Sequence, residues 1–521
     1  MDPWYYFGEF IHFPHYEHLH PNYAGERLPW ILPGYALVHL FSASSGVLLL
    51  HLSFYYMAIF SLYAIVKAFA NVRTALLTSC LLGCHPLFLG ANGWTYVDGA
   101  CIAYLLLAFY FLTKSLSAPH RHIWILLSGA AWAALIYTYL TWLMFSPCCM
   151  YYYSYLAADQ PISWKNSRAN FIRFLVFFSA GFAALTVVLS VCFGSFFVHR
   201  FFFYTNIKAA FAFLHMSKPL VDNGYTWVKS ASWILLPVLM FLASIGLLFQ
   251  HGRRRVTLSR PALALLAVYL FCFTAAVVMT VRNNRLLQWD YFASILIPII
   301  FLSLGVTILK VPAALSNFRY FIFLIVPCAI CLSPLVSPER YQAEVLIFGL
   351  AWPYAIGITG LAARLAYPKS RRLWALCLCS LAFTSSAAIP EAPGRTWHAA
   401  YDGLAVTKRV EAAIHAIEQR VPADSVPVFW IDDYSDPMTM DYRSIMCGFV
   451  THGRSMWHFP SVDEHRKYPR GTFLVLITRD QEVFERANKT MASAGMPLSF
   501  VGQDHIGEGE KSYWITYTRV L

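Results

Sequence analysis

Long apolar runs separated by short polar connections fill the chain from about residue 45 to residue 389. A membrane helix needs roughly 20 mainly apolar residues. Runs near that length fall at 45–69, 73–90, 97–113, 122–140, 141–156, 171–193, 231–250, 261–281, 291–309, 319–336, 344–364 and 373–389, which predicts about 12 membrane helices. After Pro390 the pattern changes. Helical spacing over 405–420 and 481–495, with strand-like runs at PVFWID from 427, TFLVLIT from 472, LSFVG from 498 and SYWITYTRV from 512, predicts a small α/β domain over 390–521. That length suffices for an independent core. Residues 1–44 are polar and aromatic and end in a Pro/Gly-broken apolar stretch, so they read as a loop with a re-entrant segment. Irregular backbone at membrane depth survives only where protein buries it or it lines a watery cavity.

Composition agrees with this division. Only 13% of the 521 residues are charged and 58% are hydrophobic, whereas about 25% charged is usual for a soluble domain. The chain therefore reads as a polytopic α-helical membrane protein. Its net charge of +12 lies in short clusters between apolar runs, a distribution that sets membrane orientation and does not point to nucleic acid. Lys67 and Arg73, Lys114 and Arg121, Lys165, Arg168 and Arg173, Arg253 to Arg255 with Arg260, Lys310 and Arg319, and Arg364 to Arg372 occupy alternate connections. Those connections are cytoplasmic by the positive-inside rule. Residues 1–44, 91–96, 194–230, 282–290, 337–343 and everything after 390 then share the opposite face, where the aromatic stretch 194–230 reads as amphipathic segments in the interface. An outside N-terminus with nothing to carry it across predicts one further helix ahead of Asp2, thirteen in all. The 12 cysteines lie mostly within apolar runs, CxxC at Cys328 and Cys331 included, and imply neither a disulfide framework nor a zinc site.

Four stretches on that outer face carry ionisable groups: Asp2; GERLPWILPG with Glu26 and Arg27; GWTYVDGA with Asp98; and RNNRLLQWDY with Arg282, Arg285, Asp290 and Tyr291. Ionisable side chains at membrane depth are costly and mark functional sites. Carboxylates beside guanidiniums suit a reaction in which a hydroxyl loses its proton while a phosphate departs. Arginine is preferred there because its planar fork grips phosphate bidentately and stays charged. Simpler readings stand beside these. Asp98 can cap the following helix, and Arg282 and Arg285 can reach headgroups as interface anchors. His12, His15, His18 and His20 form no recognised ligand spacing.

The order of these features resembles the integral-membrane GT-C glycosyltransferases. It is most similar to the bacterial branch of the protein O-mannosyltransferase superfamily, which includes the lipid A aminoarabinose transferase and the rhizobial lipopolysaccharide galacturonosyltransferases. The resemblance implies a GT-C fold and a polyprenyl-phosphate-sugar donor, and it casts Asp2 as general base with Asp98 as the acid of the second outer loop. Arg27 would meet the donor phosphate with Arg282 and Arg285, although GERLPW departs from the family's usual lysine before two prolines. Glu26, Asp290 and Tyr291 would contact substrate. The acceptor would be a lipid, glycan or protein on the periplasmic side of a bacterial inner membrane, with membrane lipids as further partners. The family includes metal-dependent members, which leaves a divalent ion open with no ligand assigned. The competing class is a carrier or flippase of lipid-linked precursors. A carrier would place charges near the midplane or show paired broken helices, and these runs show neither.

Overall fold

A computed structural model of the chain describes residues 6, 9–10, 13, 27–41, 43–83, 88, 91–92, 97–139, 142–143, 148, 151–152, 164–192, 235–281, 296–310, 408–422, 425, 427–431, 441–442, 445, 455–456 and 468–521. The runs at 319–336, 344–364 and 373–389, the stretch 194–230 and most of 141–156 lie outside the described residues. The chain divides into two compact units. One comprises Arg27–Trp30 and Leu48–Trp397; the other comprises Met1–Glu26, Ile31–Val47 and His398–Leu521.

Helices occupy Leu28–Leu40 (α1), Ala43–Phe69 (α2), Val72–Gly83 (α3), Asp98–Ser115 (α4), Arg121–Thr138 (α5), Trp164–Cys192 (α6), Leu235–Gly252 (α7), Arg260–Val281 (α8) and Ile297–Lys310 (α9). All but α1 fall on apolar runs of the sequence. Among the described residues, 3 helical segments are long and apolar enough to cross a membrane: Ser45–Phe69, Ala169–Val191 and Arg260–Val278. In α2 the buried positions Leu50, Phe54, Ala58, Leu62 and Val66 recur every fourth residue, which is one stripe of a 3.6-residue helix. The opposite face is also apolar, with Leu48, Leu52, Tyr56 and Phe60 exposed. An apolar face turned away from the protein suits lipid, not water.

Helix α4 is buried along nearly its whole length and packs against both α5 and α9, while α9 also packs against α3, α7 and α8. The connection between α4 and α5 spans only 116–120, so the two run antiparallel. Ser128 Oγ of α5 donates to the Ala108 carbonyl of α4 at 2.9 Å, and Tyr137 and Thr186 share a hydrogen bond at 2.9 Å between α5 and α6. The α5/α6 crossing is closer still. A Cβ at Gly129 would stand 2.0 Å from the Phe178 carbonyl oxygen, and one at Gly181 would stand 1.8 Å from that of Leu126. Small residues at such crossings let two backbones touch, the usual device of membrane helix pairs.

In the other unit a helix over 408–420 (α10) and the helix Val483–Ser493 (α11) accompany five strands: Val428–Ile431 (β1), Ser455–Met456 (β2), Phe473–Thr478 (β3), Leu498–Ile506 (β4) and Tyr513–Val520 (β5). The sheet order is β2-β1-β3-β5-β4. β1 is parallel to β2 and β3, whereas β5 is antiparallel to β3 and β4. Central β3 is buried at every position, as the continuous apolar run FLVLIT requires of a strand covered on both faces. Phe429, Val475 and Ile515 face Val410, Ala413 and Ile417 of α10. Trp430, Leu474 and Leu476 face Val483, Ala487 and Met491 of α11. In the same unit, Glu9 and Phe10 are fully buried, and the Phe10 ring fills the space over Gly34 of α1, 2.4 Å from where a Cβ would stand.

Candidate functional site

Arg27 and Asp98 both lie within electrostatic reach of one buried thiol of the helical unit, that of Cys101. Asp98 is the first residue of α4 and lies in its first turn, with Val97 at the capping position and no side-chain cap bond there. It is therefore not the cap of this helix. A carboxylate in the first turn meets the positive end of the helix dipole. One turn along, the buried Cys101 thiol feels the opposite charges of Asp98 and Arg27 and lies against the Trp142 indole. Arg27 itself is only 2% exposed. A guanidinium stays charged even when buried, so its surroundings must compensate it. One part of that environment is the Tyr139 ring, whose centroid lies 5.4 Å from the Arg27 Cζ.

The residues around Arg27 are set by short-range chemistry. The Trp30 amide donates to the Arg27 carbonyl at 2.9 Å, closing the turn that starts α1. Pro29 sits in the first turn of α1, where its missing N–H costs nothing, but Pro33 lies inside the helix. Its absent N–H would leave the carbonyl four residues back, that of Pro29, without its helical donor. The Tyr104 hydroxyl of α4 donates to that carbonyl at 2.8 Å, as neighbouring helices do for prolines in membranes. Tyr104 also meets Phe54 edge-on at 5.4 Å, and Phe54 in turn contacts Trp30 at 5.5 Å. Helix α4 thus bears Asp98 and also fixes the turn that bears Arg27. On its far side Gly99 allows close approach: a Cβ there would stand 2.6 Å from Asn92 Oδ1. The Asn92 amide is held by donation to the Phe88 carbonyl at 2.8 Å.

The arrangement offers a buried cation and, around the same thiol, a half-buried carboxylate able to accept a proton or a hydroxyl hydrogen bond. Asp2, Glu26, Arg282, Arg285, Asp290 and Tyr291 lie outside the described residues, as do His12, His15, His18 and His20. Among the described residues no group of three His, Cys, Asp or Glu side chains is placed to hold a metal ion. Sequence reasoning did not single out Tyr139, Trp142, Cys101 or Tyr104. Their signal was positional. Because α4 and α5 are antiparallel neighbours, the end of α5 lies at the same end as Asp98, which brings Tyr137 and Tyr139 there.

No family model and no curated protein sequence matches the chain. Solved structures do match in fold. ArnT from Cupriavidus metallidurans in the apo state aligns with TM-score 0.55 and 15% identity over 99% of this chain and 93% of its own. The same protein bound to undecaprenyl phosphate aligns with TM-score 0.51 and 14% identity over 94% of this chain and 87% of its own. At such identities the likeness speaks for architecture, and with the apolar helices described above it establishes that the chain has a helical membrane fold of the GT-C type.

Proposed function

We propose that the chain is a membrane glycosyltransferase that moves a sugar from a polyprenyl-phosphate-linked donor to an acceptor hydroxyl, with inversion at the anomeric carbon. The observation that carries this reading is the buried Arg27 guanidinium, which acts with Asp98 on the same Cys101 thiol, in a chain whose fold matches a protein bound to undecaprenyl phosphate over 94% of its length. A buried cation with a carboxylate neighbour is suited to a phosphate group that gains charge as it leaves.

In the proposed reaction the acceptor oxygen bonds to the anomeric carbon while the bond from that carbon to the phosphate oxygen breaks. The acceptor proton passes to Asp2, the general base, with Asp98 holding the acceptor or the sugar. Polyprenyl phosphate departs as a monoester with more negative charge than the diester it came from, and Arg27, Arg282 and Arg285 stabilise that charge. Glu26, Asp290 and Tyr291 contact the substrates. In this scheme residues 1–44 form the catalytic loop, 45–389 the membrane body, and 390–521 an extracytoplasmic α/β domain. The acceptor class is an envelope lipid such as lipid A, another glycan or a protein, on the periplasmic side of a bacterial inner membrane.

The test uses the full chain in membranes with a labelled polyprenyl-phosphate-sugar and envelope extract as acceptor. Transfer is expected from the wild type. It should fall by about 10² to 10⁴ for Asp2→Asn, the usual worth of general-base catalysis. Translocation of a lipid-linked sugar without transfer would replace this reading with that of a carrier. Wild-type rates from Asp2→Asn would move the base to Asp98.

A further inference from the structure

Resting on the reading of Arg27 as the phosphate-binding cation, we infer that Tyr139 is the positioning residue that holds the Arg27 guanidinium ready for the donor phosphate. Three observations converge on it: the near-complete burial of Arg27, the Tyr139 ring 5.4 Å from its Cζ, and a backbone that fixes where that ring stands. Tyr139 leaves α5 in an extended conformation, with φ −155° and ψ 106°. Its amide donates to the Leu135 carbonyl at 2.9 Å, and its carbonyl accepts from the Trp142 amide at 3.2 Å. Both sides of the peptide are therefore committed. Helix α5 is itself tied to α4 through Ser128 and Ala108 and to α6 through Tyr137 and Thr186. The ring is thus referenced to the same helix that carries Asp98 and fixes the Arg27 turn through Tyr104.

The chemistry of the partner matters. An aromatic face attracts a cation through its quadrupole and carries no net charge, so it restrains the guanidinium without adding an anion that competes with the phosphate. Arginine has many rotamers, and a site that must collect it from that ensemble at each turnover binds more weakly than one that presents it already in place. The ring stays beside the guanidinium when the site is empty, so the cation remains in place between release of polyprenyl phosphate and arrival of the next donor.

The probe is undecaprenyl phosphate, titrated against the full chain in detergent or nanodiscs, together with KM and kcat for transfer. Tyr139→Leu and Tyr139→Met should weaken binding about two- to thirty-fold, the range of cation–π contributions, and should raise the donor KM more than they lower kcat. Tyr139→Phe should recover most of the loss. Fluorinated phenylalanines at 139 keep the ring volume and weaken its electrostatics, so affinity should fall stepwise with fluorine count; a merely structural ring would show no such trend. In an Arg27→Ala background, Tyr139→Leu should have no further effect. Equal losses from Tyr139→Leu with and without Arg27, or a flat fluorine series, would overturn the role of Tyr139 while leaving the function standing. Failure of the wild type to bind undecaprenyl phosphate or to transfer any lipid-linked sugar would remove both.

Discussion

Gly181→Ala puts one methyl group into the close crossing of α5 and α6. The new carbon would stand 1.8 Å from the Leu126 carbonyl oxygen, against 3.4 Å for ordinary contact, so the helices must part by roughly 1.6 Å, or α6 must bend. The obstacle is a mid-helix backbone oxygen, which has no rotamer to escape into. Alanine in place of glycine gains up to about 1 kcal/mol of helix propensity, whereas overpacking costs about 1–3 kcal/mol. Here the upper part of that range applies because backbone must move, and the net effect is destabilising by about 1–2 kcal/mol. Gly129→Ala meets the Phe178 carbonyl at 2.0 Å and should cost a similar amount. One separation relieves both clashes, so the double variant should lose far less than the sum of the two. Gly246→Ala in α7 is the control. With nothing within 4 Å of its Cβ position, it keeps the propensity gain alone. Apparent melting temperatures of the purified variants in one detergent, scanned at one rate, rank the four proteins. A Gly181→Ala protein as stable as Gly246→Ala, or an additive double variant, would refute the close crossing.

Further outcomes follow from the same geometry. Arg27→Ala should weaken undecaprenyl phosphate binding about ten- to hundred-fold, the range for a charge-assisted hydrogen bond, and Arg27→Lys should recover only part, since an ammonium lacks the planar fork. Asp98→Asn should lower kcat in the transfer assay by about tenfold or more. In the sheet-bearing unit, burial pushes the Asp441 carboxyl above its ordinary value against the pull of Arg409, with which it pairs at 2.8 Å. The folded state thus holds this proton more tightly than the unfolded chain, and the resulting stability is greatest below the ordinary carboxylate range and falls as pH rises through the raised value. Asp441→Asn should abolish that dependence and destabilise by about 1–3 kcal/mol by stranding Arg409, while Arg409→Met with Asp441→Leu should restore stability. Hydrogen exchange of the 473–478 amides at pH 4 and pH 7 reads both effects.

The elements that the sequence disclosed are those whose burial is periodic or complete. Helices α2 to α9 announce themselves by apolar length, and β3 by six consecutive buried residues. β2 escaped because it is only 2 residues long, too short to show a period. Helix α1 escaped for the opposite reason. Pro29, Pro33 and Gly34 look like a break, and the carbonyl that Pro33 leaves without a helical donor is served by a hydroxyl arriving from α4. Of the site, Arg27 and Asp98 were legible because charge next to an apolar run stands out. Tyr139 and Trp142 were not, because aromatic residues at helix ends are ordinary in membrane proteins. What separates these two from the rest is which helix end they share with Asp98, a property of topology that no local stretch of sequence contains.

The hydrogen bond from Tyr104 to the Pro29 carbonyl makes two distant positions conditional on one another. A phenylalanine at 104 would be harmless in a chain with an ordinary residue at 33, since the amide of that residue would serve the carbonyl itself. Beside Pro33 the same change strands a buried acceptor. The hydroxyl at 104 is thus a contingency created by the ring at 33. Substitutions at either place carry meaning only as a pair, and a designer who straightens the first helix by replacing Pro33 would at once release Tyr104 for other uses next to the charged site.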